Sequence, residues 1–295
     1  MSITIGLLSP GDMGHVVGQV LINNGARVIT CLDGRSERTR GLAETAGIED
    51  VPTYGDLVRE ASLVICILVP AAAEEAASQV ADALKDTGEQ IVYADCNAVA
   101  PATAVRIGNV IGEAGSVFVD AGIIGGPPRK PGGTRFYCSG PDTSVFEQVN
   151  EYGLDARKVG DEIGQASGFK MCYAAQTKGI TALQTELLIA AQAMGLYDGL
   201  IEELKMSQAD KLMGMERGVP SMPTKAKRWI GEMEEIAKTF GDLGLTPKMY
   251  EGAADMYRLV SETALADETP ETRDTRRSLQ HVVEIFTGQV QKVRD

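Results

Sequence analysis

The chain opens as a series of short, almost wholly apolar runs separated by stretches of helical spacing, and this alternation limits its fold more than any other feature. The runs are "ITIGLL", "ARVITCLD", "SLVICILV", "QIVYADC", "SVFVDAG" and "TRFYCSG". A strand with one wet face alternates polar and apolar residues, whereas a strand covered on both faces is apolar throughout. Runs of the second kind, interleaved with helices such as the one expected over Met13 to Asn24, predict a mainly parallel sheet with helices on both faces. The pattern stops near residue 162. Beyond it, Ala166 to Met194 reads as one long helix, and "MYEGAADMYRLVSETALA" repeats apolar positions at helical spacing. The expectation is an α/β domain over 1–162 and an all-α domain over 163–295, the division a chain of 295 residues invites. "ERGVPSMPTKAK" and "ADETPETRDTRRS" read as extended, solvated connections between helices.

A formal net charge of -13 argues against nucleic acid, whose phosphates demand clustered Lys and Arg. Any anionic ligand must therefore be drawn in by local groups. No stretch reaches the roughly 18 to 20 apolar residues that span a bilayer, and no basic segment precedes the first strand, so a soluble, cytoplasmic protein is expected. Cys31, Cys66, Cys96, Cys138 and Cys172 show no C-x-x-C pairing and read as buried reduced thiols. With only His15 and His281, far apart, no metal site is expected.

The first strand runs into Ser9-Pro10-Gly11-Asp12-Met13-Gly14 and then a helix, the context in which a helix N-terminus binds a dinucleotide pyrophosphate. Gly11 would let a ligand approach the backbone and Gly14 would let the helix pack closely, although Ser9 stands where the pattern has its first glycine. The second strand ends at Asp33, 22 residues after Gly11, placed to accept from the adenine ribose hydroxyls. That carboxylate favours NAD; Arg35 and Arg38 come directly after it and keep NADP open. His15 reads as a helix-surface or packing residue.

Three later segments, Leu68-Val69-Pro70, "DCNAVAP" with Asn97, and "DAGIIGGPPRKPGGTRFYCSG", would each emerge at the carboxyl end of a strand, where ligands bind in open α/β sheets. Gly125 and Gly126 could free backbone N–H groups to grip a carboxylate, with Arg129 or Lys130 beside them. On the long helix, Lys170, Ala174, Thr177 and Thr181 fall within about 40° of one another at 100° per residue. A partly buried lysine there could take a hydroxyl proton as hydride leaves the neighbouring carbon; a surface lysine is the plain alternative.

Taken in order, "GLLSPGDMG", "DCNAVAP", "DAGIIGG" with "GGTRFYCSG", and the helix bearing Lys170 resemble the β-hydroxyacid dehydrogenase superfamily over nearly the whole chain. That superfamily includes 6-phosphogluconate dehydrogenase and 3-hydroxyisobutyrate dehydrogenase. The resemblance implies a Rossmann-type N-terminal domain, an all-α C-terminal domain and a homodimer. It further implies an NAD or NADP cofactor and a small, carboxylate-bearing substrate, with Lys170 as general acid/base. It places Ser9, Pro10, Gly11, Asp12, Met13, Asp33, Arg35, Arg38, Leu68, Val69, Pro70 and Asn97 against the cofactor. Ile124, Gly125, Gly126, Ala174 and Thr177 fall against the substrate.

The departures from the pattern are specific. Ile124 stands for a substrate-binding serine, Ala174 for an asparagine, Ala98 for serine or threonine, and Gly231-Glu232 for a Lys-Asp pair. Thr177 replaces the second acid/base glutamate of 6-phosphogluconate dehydrogenase, which argues against coupled oxidation and decarboxylation. These changes point to a bulkier or less polar substrate than the short hydroxy acids. Imine reduction, in relatives that typically carry another residue at the lysine position, and a cofactor-binding protein without catalysis are the competing readings.

Overall fold

The computed structural model describes residues 3–269 and 272–294. The chain divides after Met171 into two compact units, nine residues beyond the boundary expected at 162.

The first unit contains β1 (Thr4–Leu8), α1 (Gly14–Asn23), β2 (Arg27–Thr30), α2 (Glu37–Ala46), β3 (Glu49–Asp50), α3 (Tyr54–Glu60), β4 (Leu63–Cys66) and α4 (Ala73–Thr87). It continues with β5 (Val92–Asp95), α5 (Pro101–Glu113), β6 (Val117–Gly125), β7 (Thr134–Ser139), α6 (Ser144–Glu147), β8 (Ala156–Gly160) and the start of α7 (Gln165–Ala174). The strands form one sheet in the order β3-β2-β1-β4-β5-β6-β7-β8. Pairing is parallel from β3 through β6, and the crossover from β1 to β4 makes the switch point of a Rossmann-type sheet.

Successive strand residues feed opposite faces, so Ile5 and Leu7 join Val17 and Leu21 in one apolar layer while Leu8 joins Leu57, Val64 and Leu84 in the other. Local chemistry sets the helix ends. Ser36 and Thr53 accept from Thr39 N–H and Asp56 N–H as N-caps, and Gly47 and Gly88 end α2 and α4 in the left-handed region.

β6 and β7 depart from the parallel expectation. β6 runs on to Gly125, through residues expected just beyond a strand's carboxyl end, and pairs antiparallel with β7 from Asp120↔Ser139 to Gly125↔Thr134. The intervening 126–133 is too short for a parallel crossover, which needs about a dozen residues, so a hairpin is forced. The short β3 and the polar β8 carry no apolar run and escaped the sequence reading.

The second unit is helical: a π turn at Ala175–Gly179, then α8 (Ile180–Ala193), α9 (Tyr197–Ser207), α10 (Ala209–Gly218), α11 (Pro223–Asp242), α12 (Lys248–Ser261) and α13 (Leu279–Arg294). α11 packs along α12, and α8 against α13, over buried Leu188, Met233, Ile236, Tyr257, Val260, Val282 and Phe286. Among the described residues no helix is long and apolar enough to cross a membrane.

Two expectations are revised in this unit. The helical stretch expected over Ala166 to Met194 runs without a gap from Gln165 to Ala193, but a π turn inside it adds a residue and rotates the later part of the helix by about 100°. Ala174 and Thr181, on opposite sides of that turn, therefore lose the common stripe. "ERGVPSMPTKAK" is not an extended loop: it completes α10, makes a short 3-10 turn at Val219–Ser221 and begins α11, with Val219, Met222 and Ala226 buried. Pro220 and Pro223 occupy first-turn positions, where a missing N–H breaks no helical bond, so these prolines start helices. In "ADETPETRDTRRS", positions 270–271 lie outside the described residues; Ala266 is buried, and Arg277 pairs with Glu268 at 2.5 Å.

Candidate active site

The carboxyl edge of the sheet is built from the turns after β1, β2, β4 and β5. The turn after β1 is closed by Gly11 N–H donating to Ser9 O (2.8 Å) and tied to the next strand by Ser9 N–H donating to Ile67 O (3.3 Å). His15 N–H and the ring Nδ1 both meet Gly11 O, at 3.0 and 2.7 Å, which makes His15 a brace for the turn. A Cβ on Gly14 would fall 2.1 Å from Ser9 O, so this helix start admits only glycine. A Cβ on Gly11 would meet nothing within 4 Å. Packing inside the chain does not demand glycine there, whereas close approach of a ligand to the backbone would. α1 begins without a side-chain cap or an acidic residue in its first turn, leaving its positive end available to an anion.

The turn after β2 borders a cavity of about 390 Å³, lined by Asp33, Gly34, Arg35, Tyr54, Leu68, Glu75 and Gln79 among others. Asp33 is exposed at its mouth. Arg38 turns to Asp12 at 2.5 Å, and Arg40 holds the Leu32 carbonyl at 2.5 Å, so the turn after β2 is pinned by guanidinium groups. Tyr54, Glu75 and Gln79 were missed because they stand on α3 and α4 and belong to no motif themselves.

Asn97, expected against the cofactor, is 2% exposed and turned inward. Its Oδ1 accepts from Leu68 N–H, its Nδ2 donates to Asp95 Oδ2 (3.2 Å) and Cys66 Sγ (3.3 Å), and its own N–H donates to Asp95 Oδ1 (2.8 Å). The side chain thus shapes the Leu68-Val69-Pro70 turn and has no free face for a ligand. Val69 is exposed, and Pro70 opens a short 3-10 turn. Burial pushes the Asp95 carboxyl up to about 7, against the pull of the Asn97 hydrogen bonds.

Lys170 is seated by a buried polar cluster that sequence reading missed. Asp120, in β6, accepts from Ser167 Oγ (2.6 Å), Ser167 N–H (2.9 Å), Gly164 N–H (2.9 Å) and Ser139 Oγ (3.1 Å); Ala166 N–H donates to Ser139 Oγ (2.9 Å). This is an N-cap for α7 supplied from the sheet, at the helix end where a carboxylate is favoured. Burial raises the Asp120 pKa while the serine hydroxyls and amides oppose it. An acid ending an apolar run, "SVFVD", was the available signal, since a buried carboxylate requires partners.

α7 then lies directly on β6 because residue 122 has no side chain: a Cβ there would meet Lys170 Cβ at 2.8 Å and Ala166 O at 3.2 Å. Lys170 Nζ donates to the Ile123 carbonyl.

The substrate-side residues are placed less as expected. Ile124 and Ala174 are 2% and 1% exposed, so neither side chain presents a surface to a ligand. Gly125 is explained by the hairpin, with φ +114° and a virtual Cβ 2.1 Å from Gly133 O; Gly126 is exposed, and its carbonyl accepts from Thr134 Oγ1. Thr177 is exposed, with its hydroxyl donating back to Tyr173 O at 3.2 Å. Four cysteines are buried thiols, but Cys172 is exposed, contrary to expectation: it stands on α7 in the lining of a groove.

With this geometry in place, comparison with known proteins defines the class: a dinucleotide-binding oxidoreductase domain followed by a helical domain. A family model described as the NAD binding domain of 6-phosphogluconate dehydrogenase matches residues 4–152, and a domain of unknown function (DUF1932) matches residues 191–260. The chain belongs to this 6-phosphogluconate dehydrogenase NAD-binding family, within the β-hydroxyacid dehydrogenase superfamily. An uncharacterized 28.5 kDa protein of Methanothermus fervidus, in a 7S RNA 5' region, is 29% identical over 88% of this chain and 99% of its own.

Among solved structures, the conserved protein MTH1747, of unknown function and similar to 3-hydroxyacid dehydrogenases, is 28% identical with TM-score 0.66, covering 88% of this chain and 98% of its own. Mycobacterium tuberculosis 3-hydroxyisobutyrate dehydrogenase with L-serine has the same fold, at 17% identity and TM-score 0.69 over 100% of both chains. So has a Myxococcus stipitatus imine reductase variant with NAD+, at 16% identity and TM-score 0.57 over 97% and 99%.

Proposed function

We propose that the protein is a dehydrogenase that moves hydride between a nicotinamide and the CH–OH carbon of a hydroxy acid or related alcohol, with Lys170 as general acid/base. The observation that carries this reading is the seating of Lys170. A sheet carboxylate caps its helix, a glycine admits it onto β6, and its Nζ donates to the Ile123 carbonyl near the strand end.

The bound nicotinamide would supply the hydride acceptor. Gly11 to Met13 and the N-terminus of α1 would hold its pyrophosphate, and Asp33 the adenine ribose. In the oxidation direction the substrate C–H bond breaks with its electron pair leaving as hydride, the O–H bond breaks, and the proton passes to Lys170 Nζ as the carbonyl forms. A neutral amine can donate one N–H to Ile123 O and still offer its lone pair to that proton. The exposed Asp33 carboxylate favours NAD over NADP by repelling a 2′-phosphate. Within the first unit Gly126, Arg129 and Lys130 remain the substrate-side candidates, for a carboxylate-bearing small molecule.

Lys170→Ala should lower kcat by about two to four orders of magnitude while NADH affinity stays within about threefold. Unchanged turnover removes the lysine from the mechanism. Turnover of cyclic imines with NADPH, and of no hydroxy acid, would favour imine reduction instead. NADH binding without hydride transfer to any of these would favour a non-catalytic cofactor-binding role.

A further inference from the structure

Arg35, Arg38 and Arg40 follow β2 in quick succession, and the fold gives each a different partner. Arg40 serves the backbone, with Nη2 donating to Leu32 O (2.5 Å) and Nε to Arg35 O (3.3 Å). Arg35 lines the 390 Å³ cavity together with Tyr54, and two carboxylates, Asp33 and Glu75, stand in the same lining. Arg38, the second residue of α2, reaches out of that helix to the turn after β1, where its Nη2 donates to Asp12 Oδ1 at 2.5 Å.

This last contact falls where NAD and NADP would differ. A dinucleotide on a sheet of this topology runs from the turn after β1, which takes its pyrophosphate, to the end of β2, which takes its adenine ribose. The 2′-phosphate of NADP would therefore lie beside the turn after β2, and an arginine there is the group that accommodates it. Arg38 is such an arginine, but its guanidinium is already matched to a carboxylate. The backbone that carries it is held on both sides: Ser36 caps α2 by accepting from Thr39 N–H, and Arg40 ties the preceding turn to two carbonyls. Without Arg38, the charged lining of the cavity is two carboxylates against the one guanidinium of Arg35, which disfavours an added phosphate.

We propose that Asp12 determines cofactor preference: by holding Arg38 in an ion pair between the two turns, it withholds that guanidinium from a 2′-phosphate and selects NAD. The proposal rests on the nicotinamide cofactor of the dehydrogenase reading, and on neither the substrate nor Lys170. The pair is exposed, with 47% and 46% of the two side chains open to solvent, so a competing phosphate would displace Asp12 at modest cost. The effect is accordingly a preference of a few fold. The ribose of NAD, which offers hydroxyls to Asp33, makes no demand on Arg38.

Calorimetric titration of the full-length protein with NADH and with NADPH, at one ionic strength, tests this without measuring turnover. Wild type should bind NADH more tightly. In Asp12→Ala the ratio Kd(NADPH)/Kd(NADH) should fall about three- to tenfold, and the fall should shrink below about twofold in Asp12→Ala/Arg38→Met, because it requires the released guanidinium. Reading the ratio cancels any general change in pyrophosphate affinity at this turn.

A ratio unchanged within about twofold in Asp12→Ala, or a fall that persists in the double variant, overturns the proposal. A wild-type preference for NADPH also overturns it, and loss of that preference in Arg38→Met would make Arg38 a phosphate ligand. Should Asp12→Ala misfold, Asp12→Asn keeps the shape and removes the charge, and the same ratio decides. Binding of neither cofactor discards the proposal together with the nicotinamide reading. The expected ratios in a protein that transfers hydride to no hydroxy acid, alcohol or imine would keep the role of Asp12 and discard the dehydrogenase. Hydride transfer with an unchanged ratio would do the reverse.

Discussion

Asp95 shows how much of this site is organised by single residues that touch no ligand. Its carboxylate receives two hydrogen bonds from Asn97, and burial holds its pKa at about 7. A carboxyl whose folded pKa lies above its unfolded value binds more protons in the native state between those values. Its contribution is therefore fully present below the unfolded value near 4, falls as pH rises through about 7, and is constant above that. Denaturant unfolding across pH 4 to 8 should show a decline of a few kcal/mol from this group, flattened in Asp95→Asn; an identical profile in the variant would assign the slope elsewhere. Asn97 reads in sequence as a ligand donor because it sits in a strand-end motif. Only the fold shows that both ends of its amide are already engaged.

At the scale of elements, two glycines do different work on different helices, and substitution should separate them. Gly14→Ala sets a methyl against Ser9 O at the mouth of α1, so NADH affinity should fall at least about tenfold. Gly122→Ala pushes α7 off β6 at Lys170, so kcat should fall with NADH affinity nearly intact, and stability should drop by about 1–3 kcal/mol. Calorimetric NADH titration beside steady-state kinetics checks both. Equal losses of affinity and turnover in the two variants would contradict the separate roles.

Helix and strand existence were legible wherever the apolar pattern was long, as in β1, β4, β5 and α12. They were not legible where proline carried opposite meanings, as in the start of α11, or where one inserted residue made a π turn in an apolar helix.

For the whole molecule, the exposed Ile180, Leu183 and Met249 border an apolar groove of about 510 Å³ in the helical unit. Apolar surface gathered this way is where the homodimer that the resemblance implies would bury its contact. Sedimentation equilibrium at micromolar protein should give twice the chain mass, and Leu183→Asp should shift it toward one; a wild-type monomer would remove the proposal.

The sequence by itself determined the order of the main strands and helices, and it singled out the turn after β1, Asp33 and Lys170 as candidates for chemistry. Each depends on local spacing or on a strand end, which linear patterns record. The tertiary structure alone decided that Ile124, Asn97 and Ala174 face inward, that Asp120 caps α7 across 47 residues, and that two lysines stand over the one tryptophan. Those outcomes depend on which surfaces meet when helices and sheet pack, and a side chain's partners across the fold leave no period in the chain.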